Sequence, residues 1–170
     1  YKGGVALADG VTPQGSVIAG AQPASLSITG VLEADPGSYR CDITGPDGTF
    51  QSSTVALTVN DPPVISLHPA GANIPVGGSA TLGVQLSAGT PNFEYVWVKN
   101  LGAGGEELVT SRTKSVLNDS ITVPLSGGAV LANSGEYRLK VKNAASIAAN
   151  TTGVEANDWV YSNWATITVY

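Results

Sequence analysis

Methionine is absent from this 170-residue chain, and cysteine and histidine occur once each, as Cys41 and His68. A single thiol cannot close a disulfide within the chain, so Cys41 is a buried thiol, a reactive nucleophile, or half of a bridge whose partner lies elsewhere. One thiol and one imidazole also fall short of the three or four nitrogen and sulfur ligands of a zinc site. A Cys/His catalytic pair depends wholly on His68, which stands between Leu67 and Pro69 in what reads as a boundary segment. Charge is scarce at 12%, and 8 Lys+Arg against 13 Asp+Glu leave a net charge of −5. That balance gives no basic footprint for a phosphate backbone or an anionic lipid surface. No apolar run reaches the roughly 18 residues of a membrane span, and no charged, then apolar, leader opens the sequence. Low charge together with the lack of Met excludes coiled coils and helical bundles.

What the chain does contain is 42% hydrophobic residues, enough for a core, with 21 Gly and 10 Pro as punctuation. Apolar and polar residues alternate over 24–29, 54–59 and 137–142, the period of a half-buried strand. Further strands are expected at 64–67, 79–86, 93–99, 107–110, 120–125 and 164–170. Gly45-Pro46-Asp47-Gly48, Gly77-Gly78, 102–105 and Gly127-Gly128 supply turns between them. Residues 143–150 are Ala-rich but carry no apolar stripe, so they are expected to form a loop. Asn60-Asp61-Pro62-Pro63 marks a break: two prolines remove two backbone donors and stiffen the chain. The expected division is 1–60 and 61–170, an all-β protein in two parts. Their charges are about −3 (Asp9, Glu33, Asp35, Asp42 and Asp47 against Lys2 and Arg40) and about −2.

The run Asp35-Pro36-Gly37-Ser38-Tyr39-Arg40-Cys41 resembles the D-x-G-x-Y-x-C signature that opens strand F of immunoglobulin domains, where the tyrosine forms a corner two residues before a cysteine. Asn133-Ser134-Gly135-Glu136-Tyr137-Arg138-Leu139 repeats it in weaker form, with Asn for Asp and Leu139 at the cysteine position. Gly78 to Val84 resembles strand B with Val84 at the other cysteine position, and Trp97 resembles the buried tryptophan of strand C. The resemblance implies tandem immunoglobulin-like β-sandwiches. In the second, an apolar Val84/Leu139 pair packed on Trp97 replaces the disulfide. In the first, Tyr1 to Leu7 resembles the segment just after the strand-C tryptophan, so 1–60 would supply only strands C′ to G, with strands A to C outside these residues. The chain is accordingly expected to be a fragment of a longer protein. Cys41 would then face the core and bond a strand-B cysteine beyond these 170 residues.

No catalytic or metal site is expected, and no cofactor. Glu106 and Glu107 are neighbours whose side chains would point to opposite faces of a strand, so they cannot flank one glycosidic bond. No G-x-S-x-G elbow or phosphate loop occurs. The expected core is Trp97, Val84, Leu139, Tyr137 and Tyr39. Asn118-Asp119-Ser120 and Asn150-Thr151-Thr152 match the glycosylation acceptor pattern. The long connection 144–161 holds Trp159 and Tyr161 and is the candidate binding loop. The expected function is a non-enzymatic structural segment of an extracellular or cell-surface protein: a spacer, surface array or filament subunit. Its partners would be other copies or other domains of the same protein. The second reading is an adhesion or carbohydrate- or protein-binding module acting through 144–161. The acidic, Lys-poor composition is similar in style to prokaryotic secreted multidomain proteins.

Overall fold

The computed structural model describes every residue except Glu33, Thr151 and Gly153, so one acid of the first half and the middle residue of the second sequon lie outside the described residues. The chain separates into two compact units, Tyr1–Val59 and Asn60–Tyr170.

Unit 1 is built from short strands. β1 (Gly10–Val11), β2 (Val17–Ala19) and β3 (Ser27–Thr29) form an antiparallel sheet in that order. β4 (Gly37–Tyr39) pairs with β7 (Val55–Leu57), and β5 (Asp42–Gly45) with β6 (Gly48–Gln51). The β5–β6 hairpin turns through Pro46 and Asp47, with Gly48 at φ +119, a conformation that side chains with a Cβ avoid. Burial is thin: Ile18 and Tyr39 are the buried apolar residues among those described, while Ile43, Phe50 and Val55 are each more than 60% exposed. Strands whose apolar faces find no partner stay short, because little burial offsets the entropy of ordering them.

Unit 2 is a two-layer sandwich. One sheet runs β13 (Asn118–Val123), β10 (Ala80–Ala88), β8 (Val64–Leu67). The other runs β12 (Gly105–Lys114), β11 (Phe93–Gly102), β14 (Gly135–Lys142), β16 (Ala165–Val169), β9 (Ala72–Ile74), with β15 (Val160–Tyr161) also on β14. Alternation decides what goes inside: Leu82, Val84 and Leu86 of β10 meet Phe93, Tyr95 and Trp97 of β11 and Tyr137, Leu139 and Val141 of β14 in one cluster. β9 was not expected from the sequence. Three residues ahead of Pro75 are too few to show a period, and their place comes from parallel pairing with β16. The chain passes between sheets at Gly71, where a Cβ would stand 2.5 Å from the Thr166 carbonyl oxygen.

Residues 143–150, expected to be loop, contain helix α1 (Ala144–Ala149). Its stability comes from the cap: Asn143 Oδ1 accepts from the Ser146 N–H at 2.9 Å, and Ser146 Oγ accepts from the Asn143 N–H at 3.0 Å. Such a cap leaves no trace in hydrophobic periodicity. No helix among the described residues is long and apolar enough to cross a membrane.

Candidate functional site

Both units contain the same corner. The Tyr39 hydroxyl donates to the Asp35 carbonyl at 2.7 Å, and the Tyr137 hydroxyl to the Asn133 carbonyl at 2.8 Å. The Asp35 carboxylate accepts from the Leu32 N–H, as the Asn133 amide oxygen accepts from the Val130 N–H. Asn therefore does the work of Asp, since both tasks need only an acceptor. Burial, with the charge of Glu107 second, raises the Tyr137 pKa; burial and then Asp119 push Tyr95 up to about 12.

Trp97, Val84 and Leu139 are buried together in the unit 2 core. Beside them is a feature that the sequence reading missed. Asp119 is fully buried; its Oδ2 accepts from Trp97 Nε1 at 2.8 Å, and Lys114 Nζ and Arg112 Nε approach at 2.5 and 3.4 Å. Asp119 also stands opposite Val84 in the β10–β13 register. Alternation could have found it, for Asp119, Ile121 and Val123 share one face of β13. Cys41 is a free thiol and is exposed within these residues. It lines a cleft of about 380 Å³ with Tyr1, Leu7 and Leu26.

The connection 144–161 is folded down, not extended. After α1, a 3₁₀ turn (Glu155–Asp158) leads into β15, and Trp159 lies over Lys142 and Lys140 at 4.3 and 5.1 Å. Arg138 is held between the rings of Tyr161 and Trp164, 4.3 Å from each. Glu106 binds Arg138 at 2.5 Å and Lys140 at 3.6 Å, and Lys142 reaches Glu94 and Glu155. Ser162, 5% exposed, locks the turn between β15 and β16: its N–H donates to the Leu139 carbonyl and its Oγ accepts from the Leu139 N–H. Three cations alternate along β14 and three rings cover them, each pair favourable by about 0.5–2 kcal/mol. Trp159 and Tyr161 thus each have a face occupied within the chain.

Glu106 and Glu107 lie on β12, Glu106 ion-paired and Glu107 exposed. His68 accepts from the Asn163 N–H through Nδ1. Asn118 is exposed at the start of β13, whereas the Asn150 amide donates to the Val154 carbonyl and to Asp158 Oδ1. No group of three or more His, Cys, Asp or Glu side chains suited to a metal ion occurs among the described residues.

No family model matches the chain. It is 32% identical over 127 residues to mouse V-set and immunoglobulin domain-containing protein 2, covering 71% of this chain and 36% of the relative. It is 31% identical over 133 residues to endoglucanase C of Cellulomonas fimi, covering 78% of this chain and 11% of that protein. Mouse junctional adhesion molecule C is 35% identical over 78 residues, 45% of this chain and 25% of its own length. The chain therefore spans about a third or less of these relatives. Among solved structures, the I67–I69 I-band fragment of titin superposes with a TM-score of 0.61 at 17% identity, over 85% of this chain and 45% of that one. The corners, the buried tryptophan of β11, the paired sheets and these likenesses agree: the chain is an immunoglobulin-like β-sandwich protein.

Proposed function

We propose that this chain is a non-enzymatic structural segment of an extracellular or cell-surface protein made of tandem immunoglobulin-like domains, acting as a spacer, surface array or filament subunit. The observation that carries the reading is the folded-down connection 144–161. Its rings are spent on Arg138, Lys140 and Lys142, which favours a rigid module over an open ligand platform. The second reading, an adhesion or glycan-binding module, is favoured by the partial exposure that Trp159 and Tyr161 keep and by the junctional adhesion relative. A thermal-shift panel of glycans separates the two. A structural segment melts unchanged throughout, whereas a binding module shows a rise that Trp159→Ala abolishes.

Unit 1 is read as the C′ to G part of an immunoglobulin-like domain and unit 2 as a whole one. The exposed Ile43, Phe50 and Val55 support this, as apolar strand faces that a sandwich partner would cover. Cys41, two residues after the corner tyrosine, is proposed to bond a cysteine outside these 170 residues. Of the two sequons, Asn118 is the better acceptor, because a glycan on Asn150 would displace an amide already engaged twice.

A further inference from the structure

β12 is ten residues long and pairs on one side only, with β11; among the described residues nothing pairs with its other edge. A long open edge invites another strand. Three charges of β12 are turned to their own unit. Glu106 binds Arg138 and Lys140, while Arg112 and Lys114 approach Asp119. Glu107 is exposed and has no hydrogen bond or ion pair among the described residues, and Arg112, although ion-paired to Asp119 at 3.4 Å, makes no hydrogen bond through its buried Nε and keeps a third of its side chain exposed.

The register makes these two residues complementary. Glu107 lies opposite Lys99, Thr110 opposite Trp97 and Arg112 opposite Tyr95, because a bulge inserts Val109 between Leu108 and Thr110. Counted along β11, Glu107 and Arg112 thus lie two places either side of Thr110, on one face, although they are five apart in sequence. A two-fold axis beside Thr110, midway between the two paired edges and perpendicular to the sheet, keeps each face on its own side. It sets Glu107 of each copy against Arg112 of the other, and the 62% exposed Leu108 against Ser111. We propose that β12 is a homodimerisation edge, on which a second copy of this chain adds its own β12 antiparallel and is held by two Glu107–Arg112 pairs. The contact rests on unit 2 alone, so its failure would leave the spacer reading intact.

Sedimentation equilibrium of the full 170-residue chain, from about 10 µM to about 1 mM, tests it in the range expected of weak, transient contacts. The expected result is a concentration-dependent dimer that weakens as salt rises. Glu107→Arg sets like charges across the axis and raises the dimer Kd about tenfold or more. Arg112→Glu does the same, and an equimolar mixture of the two variants regains association, because each altered side chain then meets its opposite. Circular dichroism checks that Arg112→Glu folds beside Asp119. If it does not, Glu107→Arg and the salt series decide. A chain that stays monomeric throughout, or a Glu107→Arg variant that dimerises as the parent does, overturns the proposal.

Discussion

Replacing Asp119 by Ala removes the acceptor of Trp97 and Lys114 and the counter-charge of Arg112. The indole N–H of Trp97, which is wholly buried, would lose its partner and find no water. Leaving a buried donor unsatisfied costs about 1–3 kcal/mol. Lys114 and Arg112, with side chains about a third exposed, would recover much of their hydration, so their loss is discounted to about 1 kcal/mol together. The small void adds on the order of 1 kcal/mol. Asp119→Ala should therefore cost about 3–5 kcal/mol, a large part of the stability of a domain of this size. Asp119→Asn keeps the shape and one acceptor and should cost about half as much. Urea unfolding followed by far-ultraviolet circular dichroism measures both without relying on the tryptophan being probed. A double-mutant cycle with Trp97→Phe isolates the indole–carboxylate term at about 1.5–3 kcal/mol, the range for hydrogen bonds to charged groups. A cost below about 1 kcal/mol for Asp119→Ala, or a coupling near zero, would refute the claim that the carboxylate is buried against Trp97.

Other outcomes follow from the same structure. Trp97→Ala should cost about 3–5 kcal/mol in the same urea assay and unfold unit 2. The raised pKa of Tyr95, about 12 in the folded chain against 10 unfolded, means that its contribution is complete below pH 10 and is lost between pH 10 and 12. Spectrophotometric titration should show tyrosines ionising in two groups, with the later one coinciding with loss of circular dichroism. Asn143→Ala removes the α1 cap and two donors to the Asp61 and Thr90 carbonyls, so it should cost about 1–2 kcal/mol and raise hydrogen exchange over 144–149. Cys41 in the 170-residue chain should alkylate at the rate of a free thiol, without denaturant; slow modification would contradict its exposure.

The fold was legible where period two runs on. Residues 64–67 coincide with β8, and the alternating stretch 137–142 lies within β14, because one buried face imposes the pattern. The corners were legible because Tyr39 and Tyr137 each need an acceptor four residues back, a local requirement visible as text. What escaped were features fixed by distant partners. β9 exists through β16, α1 through two polar side chains at its cap, and the burial of Asp119 through Trp97 and the cations of β12. The surroundings of Cys41 were not legible either: its family position implies a cover, and within these residues its side chain is exposed. Of the candidate loop, Trp159 and Tyr161 were visible, but their engagement with alternate residues of β14 required the three-dimensional register.

The rings and cations laid over β14 alter what surface means in unit 2. Val96 and Val98 alternate with the core residues Tyr95 and Trp97, so they point away from the sandwich, yet they are only 6% and 3% exposed. In register they stand beside Lys140 and Arg138, the side chains that Trp159, Tyr161 and Trp164 cover. The sheet is consequently a middle layer with a thin third layer outside it, which shields Val96 and Val98 from solvent while the charged ends of Arg138 and Lys140 stay part-exposed. Polar substitutions at Val96 or Val98, which an inside-out reading of the strand would tolerate, would be made in an interior.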